Sequence, residues 1–225
     1  MPKKLLIDKS KILVILQART SSKRYKNKVL KKINNIELLI LCAKRLANKG
    51  HKVIIATSTQ SEDDKIIELA IKNKIEFYRG NLNNVYLRFL NCIKNLNPKD
   101  IVIRATADNP LVDGNFINLM IEEYVKRKVN YLSSVHEFNY LPYGLSLEIF
   151  STQKFRTYKN KELTIYQKEH FTSMFAKRNS LKNFIIDHSK FLKDLSLFNY
   201  SIDTYQDYKK IIKTFFSFKD IINIH

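Results

Sequence analysis

The chain has 225 residues, 44% of them hydrophobic, enough to bury one sizeable core, and no apolar run approaches the roughly 20 uncharged residues that cross a bilayer. Its formal net charge is +19, from 40 Lys plus Arg against 21 Asp plus Glu, which favours an anionic partner such as nucleic acid, anionic lipid or a polyphosphate. The lysines run through the whole chain in company with many Asn and Ile, so a general bias towards Lys accounts for half or more of that excess. Cys42 and Cys92 fall in apolar helical patterns, which excludes a disulfide framework or a Cys-based zinc site and marks both as small core residues. With no signal-like start after Met1-Pro2-Lys3-Lys4-Leu5, the expectation is one cytoplasmic domain, without membrane contact, over residues 1–225.

Residues 11–16 are a short β-branched apolar run of the kind that makes a strand covered on both faces. A polar loop follows, and from Asn35 the positions Ile36, Leu39, Ile40, Ala43, Leu46 and Ala47 recur at helical spacing, with Gly50 to end the helix. Residues 53–57 read as the next strand. Ser61 with Asp64 resembles a capping box and predicts a helix carrying Ile66, Ile67 and Ala70. The alternation goes on with a strand at 75–78, a helix at 85–93, a strand at 101–105 reaching Asp108, and a helix at 116–126. Repeated β-then-α order predicts an α/β fold, Rossmann-like and doubly wound, on a mixed, mostly parallel sheet.

Beyond that point the pattern loosens. A strand at 130–134 leads into an irregular segment, 136–144. Residues 145–150 suit an antiparallel strand, 166–177 a helix and 198–202 a late strand, and Thr204 with Asp207 caps a final helix. Doubly wound sheets bind ligands beyond the carboxyl ends of their strands, which directs attention to the loops starting at Gln17, Thr57, Arg79, Thr106 and Asp203.

The first of these loops, residues 17–28, puts Arg19, Arg24 and Lys28 on one connection with two hydroxyls between them. Arg offers forked donors to phosphate oxygens, Lys a compact charge, and a polar turn its backbone N–H groups, so the loop suits a polyanion. Asp108 follows the strand at 101–105 and Asp203 the one at 198–202. Thr204 is free to cap, so Asp203 is not needed for that purpose. Two carboxylates from separate strand ends suit Mg²⁺, which takes one or two protein carboxylates, keeps waters and binds phosphate oxygens.

Gln17, Ala18, Arg19, Ser22, Arg24 and Lys28 match the loop Q-A-R-x-x-S-x-R-L-P-G-K of nucleotidyltransferases that make CMP-activated sugars. Ser21 stands where Gly is common there, and Tyr25-Lys26-Asn27 where Leu-Pro-Gly is usual. The likeness continues in order through Ala56-Thr57-Ser58-Thr59, Glu62-Asp63-Asp64, Tyr78-Arg79-Gly80, Val85-Tyr86-Leu87-Arg88 and the run from Arg104 to Asp113. It resumes at Gly144-Leu145-Ser146-Leu147-Glu148, Glu169-His170-Phe171-Thr172 and Ser201-Ile202-Asp203-Thr204, with Asn84 where an acidic residue is frequent. Over residues 11–216 the chain resembles the cytidylyltransferase family of the spore-coat polysaccharide type, related to CMP-sialic acid and CMP-Kdo synthetases.

That resemblance implies a GT-A-like nucleotidyltransferase that moves CMP from CTP to a sugar acid or a sugar or polyol phosphate, with Mg²⁺ on Asp108 and Asp203. It implies that Gln17, Ala18, Arg19, Ser22, Arg24, Lys28 and Thr106 bind the nucleotide and that Arg19, Lys28 and Asp108 serve catalysis. Ala18, Ser58 and Arg79 would read the cytosine, although Ser58 also reads as a loop hydroxyl and Arg79 as a surface charge. Glu148, Glu169 and His170 match acceptor-side segments, and His170 beside Phe171 also reads as a core histidine. A homodimer is implied too, with residues 130–165 a projecting region that lines the acceptor pocket or makes the dimer contact, and with no nucleic-acid partner. Two rivals stand beside this reading: a nucleotidyltransferase using another nucleotide or a glycosyltransferase that consumes a nucleotide sugar, and a basic RNA-binding module. Asp108-Asn109-Pro110 lacks the Asp-x-Asp of glycosyltransferases, and the aromatics fall at core spacing where RNA binding needs exposed stacking faces.

Overall fold

The computed structural model describes residues 8–134, 141–176, 182–183 and 199–217. The central strand is β1 (Ile12–Gln17), whose side chains alternate between two faces. Ile12, Val14 and Leu16 join one core cluster, while Leu13 and Ile15 join the other. On one side β1 pairs in parallel with β4 (Lys52–Ser58), which pairs in parallel with β5 (Glu76–Gly80). On the other it pairs in parallel with β6 (Ile101–Thr106). Beyond β6 one strand runs the other way: β8 (Glu148–Ser151) is antiparallel to both β6 and β7 (Tyr131–Ser133). The order is β5-β4-β1-β6-β8-β7-β9, with a two-residue edge strand β9 (Lys182–Asn183) that the sequence pattern did not announce.

Helices cover both faces. The first cluster receives α1 (Leu38–Ala47), α2 (Asp64–Lys72), α4 (Gly114–Arg127) and α8 (Tyr205–Ser217). The second receives α3 (Val85–Cys92), α5 (Thr152–Arg156) and α7 (Ser173–Ala176), built around Phe89, Phe150, Phe155 and Phe171. This is the α/β, mostly parallel architecture expected. Cys42 is buried in the first cluster and Cys92 is partly buried beside the second, both as free thiols.

Four local expectations change. The helix anticipated from Asn35 starts at Leu38, because Asn34 (φ 48) and Asn35 (φ 64) take the left-handed conformation and close a hairpin between β2 (Lys32–Ile33) and β3 (Ile36–Glu37). Asn tolerates that region better than any residue but Gly, which suits it to a primed turn. Ser61 makes no capping box; residues 61–63 form a 3-10 turn leading into α2, and Asp63 turns inward. The helix expected over 166–177 is split into α6 (Ile165–Glu169) and α7, the chain leaving helical geometry at His170 (φ −111, ψ 57). Residue 177 lies outside the described residues, as do 136–140 of the irregular segment.

The fourth change bears on the site. Within 199–202 there is no regular strand; one isolated bridge joins Asn199 to Tyr143. Tyr200 N–H donates to the Tyr143 carbonyl (2.6 Å) and Ile202 N–H to the Asp108 carbonyl (2.8 Å). Gly144 (φ 103) allows this crossing, since a Cβ there would lie 2.5 Å from the Ser201 nitrogen. Asp203 is therefore brought beside Asp108 by a crossing loop and not by a sheet strand.

Candidate active site

The loop after β1 is fixed from inside. Thr20 donates its backbone N–H (2.8 Å) and hydroxyl (2.7 Å) to Asp63, and its carbonyl accepts from Ser22 (2.9 Å) and Asn27 (3.0 Å). Asp63, only 1% exposed, also accepts from the hydroxyls of Thr57 and Ser58 at the end of β4. Burial pushes the Asp63 carboxyl up, but the hydrogen bonds from Ser58, Thr20 and Thr57 outweigh it and hold the group below the ordinary carboxylate value. One buried acid thus ties the β1 loop to the β4 loop. Sequence reasoning gave Asp63 no role; its signal was an acid five and six residues after a strand-ending Thr-Ser pair.

Further along, Tyr25 lies edge-on to Tyr205 (6.0 Å between ring centres) and against Tyr208 of α8 (6.0 Å). Asn27 takes the left-handed conformation (φ 59), and the chain then enters a 3-10 turn at Lys28–Leu30. Lys28, 7% exposed, aims its ammonium inward. It donates to Asp108 Oδ2 (2.8 Å), Asp203 Oδ1 (3.1 Å) and the Ile202 carbonyl (2.7 Å). Arg24 reaches the same Asp203 oxygen at 2.9 Å from a side chain that is 68% exposed. The Tyr25-Lys26-Asn27 departure leaves Lys28 directed at both acids.

Burial also pushes the Asp108 carboxyl up, and the Lys28 ammonium, with hydrogen bonds from Lys28 and Thr106, brings it below the ordinary value. Asp203 needs no part in capping. Asp207 accepts from Thr204 N–H (2.8 Å) and donates its own N–H to the Thr204 hydroxyl (3.2 Å), the reciprocal cap expected at the start of α8.

These groups face a cavity of about 520 Å³. The β1 loop gives it Gln17, Ala18, Arg19, Ser22, Arg24 and Lys28. Thr106 and Asp108 come from the end of β6, Asp203 from the crossing loop, and Glu169 and His170 from the end of α6. Arg19 lies 3.7 Å from Glu169 across the opening, each side chain 39% exposed. His170 is exposed, with its ring 4.9 Å from that of Tyr166, so it is not a core histidine.

Three sequence-selected residues do not line the cavity. Ser58 is fully buried and gives its hydroxyl to Asp63. Arg79 donates to the carbonyls of Ser58 and Gln60 (both 3.0 Å) and pairs with Asp64 (2.7 Å), so it braces the β4 loop. Glu148, 6% exposed, accepts from Arg104 and from the Tyr131 hydroxyl (2.5 Å). Arg104 does line the cavity and donates to Gln17 Oε1 (3.2 Å), fixing that carboxamide. A charge inside an otherwise apolar strand was its signal, and the β6–β8 register sets Arg104 opposite Glu148.

Among the described residues no group of three or more His, Cys, Asp or Glu side chains is arranged to hold a metal, and no helix is long and apolar enough to cross a membrane. The two-carboxylate set of Asp108 and Asp203 nevertheless fits a hard divalent ion that draws its other ligands from phosphate and water, and a cation already lies between them in the form of the Lys28 ammonium.

The chain is 34% identical over 218 residues to an uncharacterized protein of Methanocaldococcus jannaschii, covering 95% of this chain and 86% of that one. It is 32% identical over 126 residues to the spore coat polysaccharide biosynthesis protein SpsF of Bacillus subtilis, covering 53% of this chain and 52% of that one. In structure it is similar to a cytidylyltransferase from Leptospira borgpetersenii, with a TM-score of 0.83, 24% identity, and coverage of 92% of this chain and 87% of that one. The cytidylyltransferase family model matches residues 13–221, nearly all of the fold and every cavity-lining residue named above, and the chain belongs to the cytidylyltransferase family.

Proposed function

We propose that this cytidylyltransferase moves CMP from CTP to an oxygen of a sugar acid or a sugar or polyol phosphate, in the cytoplasm, as a step towards a surface polysaccharide or glycoconjugate. The observation that carries this reading is the single cavity in which Arg19, Arg24 and Lys28 meet Asp108 and Asp203. The acceptor oxygen attacks the α-phosphorus, the new P–O bond forms as the bond to the β-phosphate oxygen breaks, and pyrophosphate leaves. A hydroxyl acceptor gives its proton to solvent, since no side chain stands out as a base.

Such transfer needs positioning and charge neutralisation more than covalent chemistry. Arg19, Arg24 and Lys28 bind the β- and γ-phosphates and stabilise the leaving group. Gln17, held by Arg104, and Ala18 with Ser22 and Thr106 orient the nucleoside and α-phosphate. Asp108 and Asp203 would hold Mg²⁺, which would supply charge neutralisation for the transferring phosphate and lower the pKa of the acceptor oxygen. Glu169 and His170 face the acceptor. The exposed Tyr143, Ile165 and Tyr166, at 54%, 83% and 64%, are offered as part of a homodimer contact. Sedimentation of the protein at monomer mass under assay conditions would remove that part of the proposal.

The test is pyrophosphate release with each nucleoside triphosphate, Mg²⁺ and a panel of sugar acids and sugar or polyol phosphates. CTP with one acceptor is expected to turn over, and Asp108→Asn to lower kcat/KM by roughly a thousandfold. Release that is absent with every acceptor, or indifferent to Asp108→Asn, overturns the mechanism. Preference for another triphosphate replaces the cytidylyl assignment and leaves the rest.

A further inference from the structure

The arrangement around Lys28 reaches past phosphate binding. Its ammonium sits between the carboxylates of Asp108 and Asp203, 2.8 and 3.1 Å from their oxygens, and its third hydrogen bond goes to the Ile202 carbonyl at 2.7 Å. Arg24 adds a second positive charge on the same Asp203 oxygen. Both carboxylates are therefore neutralised by side-chain cations, Asp108 through Oδ2 and Asp203 through Oδ1. A metal entering here alone displaces a 7% exposed ammonium from three partners and repels it at close range. A triphosphate arriving with the metal offers that ammonium and Arg24 new anionic partners in the same cavity.

We propose that Lys28 is a placeholder cation: it closes the Asp108–Asp203 pair to divalent metal in the free protein, and the triphosphate opens the pair by drawing Lys28 onto its phosphates. This rests on the reading above that the two acids hold the catalytic metal. Metal and nucleotide then bind as one unit, and the free protein keeps two close carboxylates from repelling one another. Lys28 is thus a positioning residue for the metal as well as a ligand of the departing pyrophosphate.

The experiment is a titration of nucleotide-free protein with Mn²⁺, read from the electron paramagnetic resonance signal of the free ion. Wild-type protein is expected to bind no Mn²⁺ below millimolar concentration. Lys28→Met is expected to bind roughly tenfold tighter or more, a gain that Lys28→Met with Asp108→Asn loses. Arg24→Ala removes an exposed charge and keeps the test open where Lys28→Met does not fold; it raises the affinity by a smaller factor, roughly twofold to threefold. Saturable micromolar binding of Mn²⁺ to the wild-type protein overturns the proposal, and so does the absence of any gain in the variants. Pyrophosphate release by the same wild-type preparation keeps the two readings apart. Turnover alongside tight nucleotide-free Mn²⁺ binding removes the placeholder role alone, whereas absent turnover strikes at the proposed reaction and leaves the metal measurement standing.

Discussion

The half of the cavity built from the β1 loop, which the β4 loop backs through Asp63, and the half built from residues 141–176 are organised in opposite ways. In the first, Thr20, Thr57, Ser58 and Asp63 are polar, buried and hydrogen-bonded through the Asp63 carboxylate, and Lys28 is buried against Asp108 and Asp203, so the loop geometry exists before any ligand arrives. In the second, Glu169 and His170 stand at the end of a five-residue helix with Ile165 and Tyr166 exposed beside them. A triphosphate has fixed charge and shape, and a preorganised cradle loses little entropy in binding it. The half proposed to face the acceptor is assembled from short elements, of the kind that tolerate change.

The strongest way to break this contrast is Asp63→Ala. It removes the acceptor for Thr20, Thr57 and Ser58, leaving buried donors unsatisfied at a cost of about 3 kcal/mol, or roughly 10 °C in melting temperature. The KM for CTP is expected to rise while the KM for the acceptor stays near its original value. An equal loss in both would show that the two halves are one cooperative unit. Acid exposes the same anchor. Asp63 and Asp108 both have folded values below the ordinary carboxylate range, so their contribution is complete above roughly pH 4 and is lost as pH falls through the folded values. Urea melts between pH 7 and pH 3 are expected to show stability falling with acid, and Asp63→Asn to flatten that slope.

Glu148→Gln is expected to have the next largest effect and sharpens the contrast from the other side. Sequence reasoning set Glu148 towards the acceptor, while the structure spends both its oxygens on Arg104 and Tyr131. Removing its charge leaves the Arg104 guanidinium, 25% exposed, with a weaker partner, at about 2 kcal/mol. As a brace, Glu148 acts through Arg104 and Gln17, so the substitution lowers thermal stability and raises the KM for CTP. A rise confined to the acceptor KM would return Glu148 to substrate contact.

The β-then-α alternation, the motif loop and the helix cap of Thr204 were legible because each depends on residues a few positions apart. What escaped was relational. Asp63 matters because of Thr20, 43 residues away, and the crossing of 199–203 over Gly144 depends on a contact between segments that share no periodicity. The break at His170 escaped for a related reason: residues 166–177 have helical spacing, but Phe171, Met174 and Phe175 must turn into the second core cluster while Tyr166 stays outside. Burial decided against periodicity there.

The smallest effect is expected at Asn27, where the loop departs from its relatives' glycine. At φ 59 the backbone is in the region glycine enters freely and Asn tolerates, so Asn27→Gly should shift stability by less than about 0.5 kcal/mol and leave kcat unchanged. Asn27→Ala should cost about 1 kcal/mol, because a Cβ without a polar side chain raises the energy of the left-handed turn. The Asn27 N–H bond to Thr20 and the edge-on and tilted contacts of Tyr25 with Tyr205 and Tyr208 of α8 hold the turn from both sides, so strain there passes to Lys28. A melt and a CTP saturation curve on the two variants separate the outcomes. If Asn27→Gly lowers kcat/KM for CTP more than Asn27→Ala does, the left-handed turn is not what directs Lys28, and the loop's preorganisation rests on Asp63 alone.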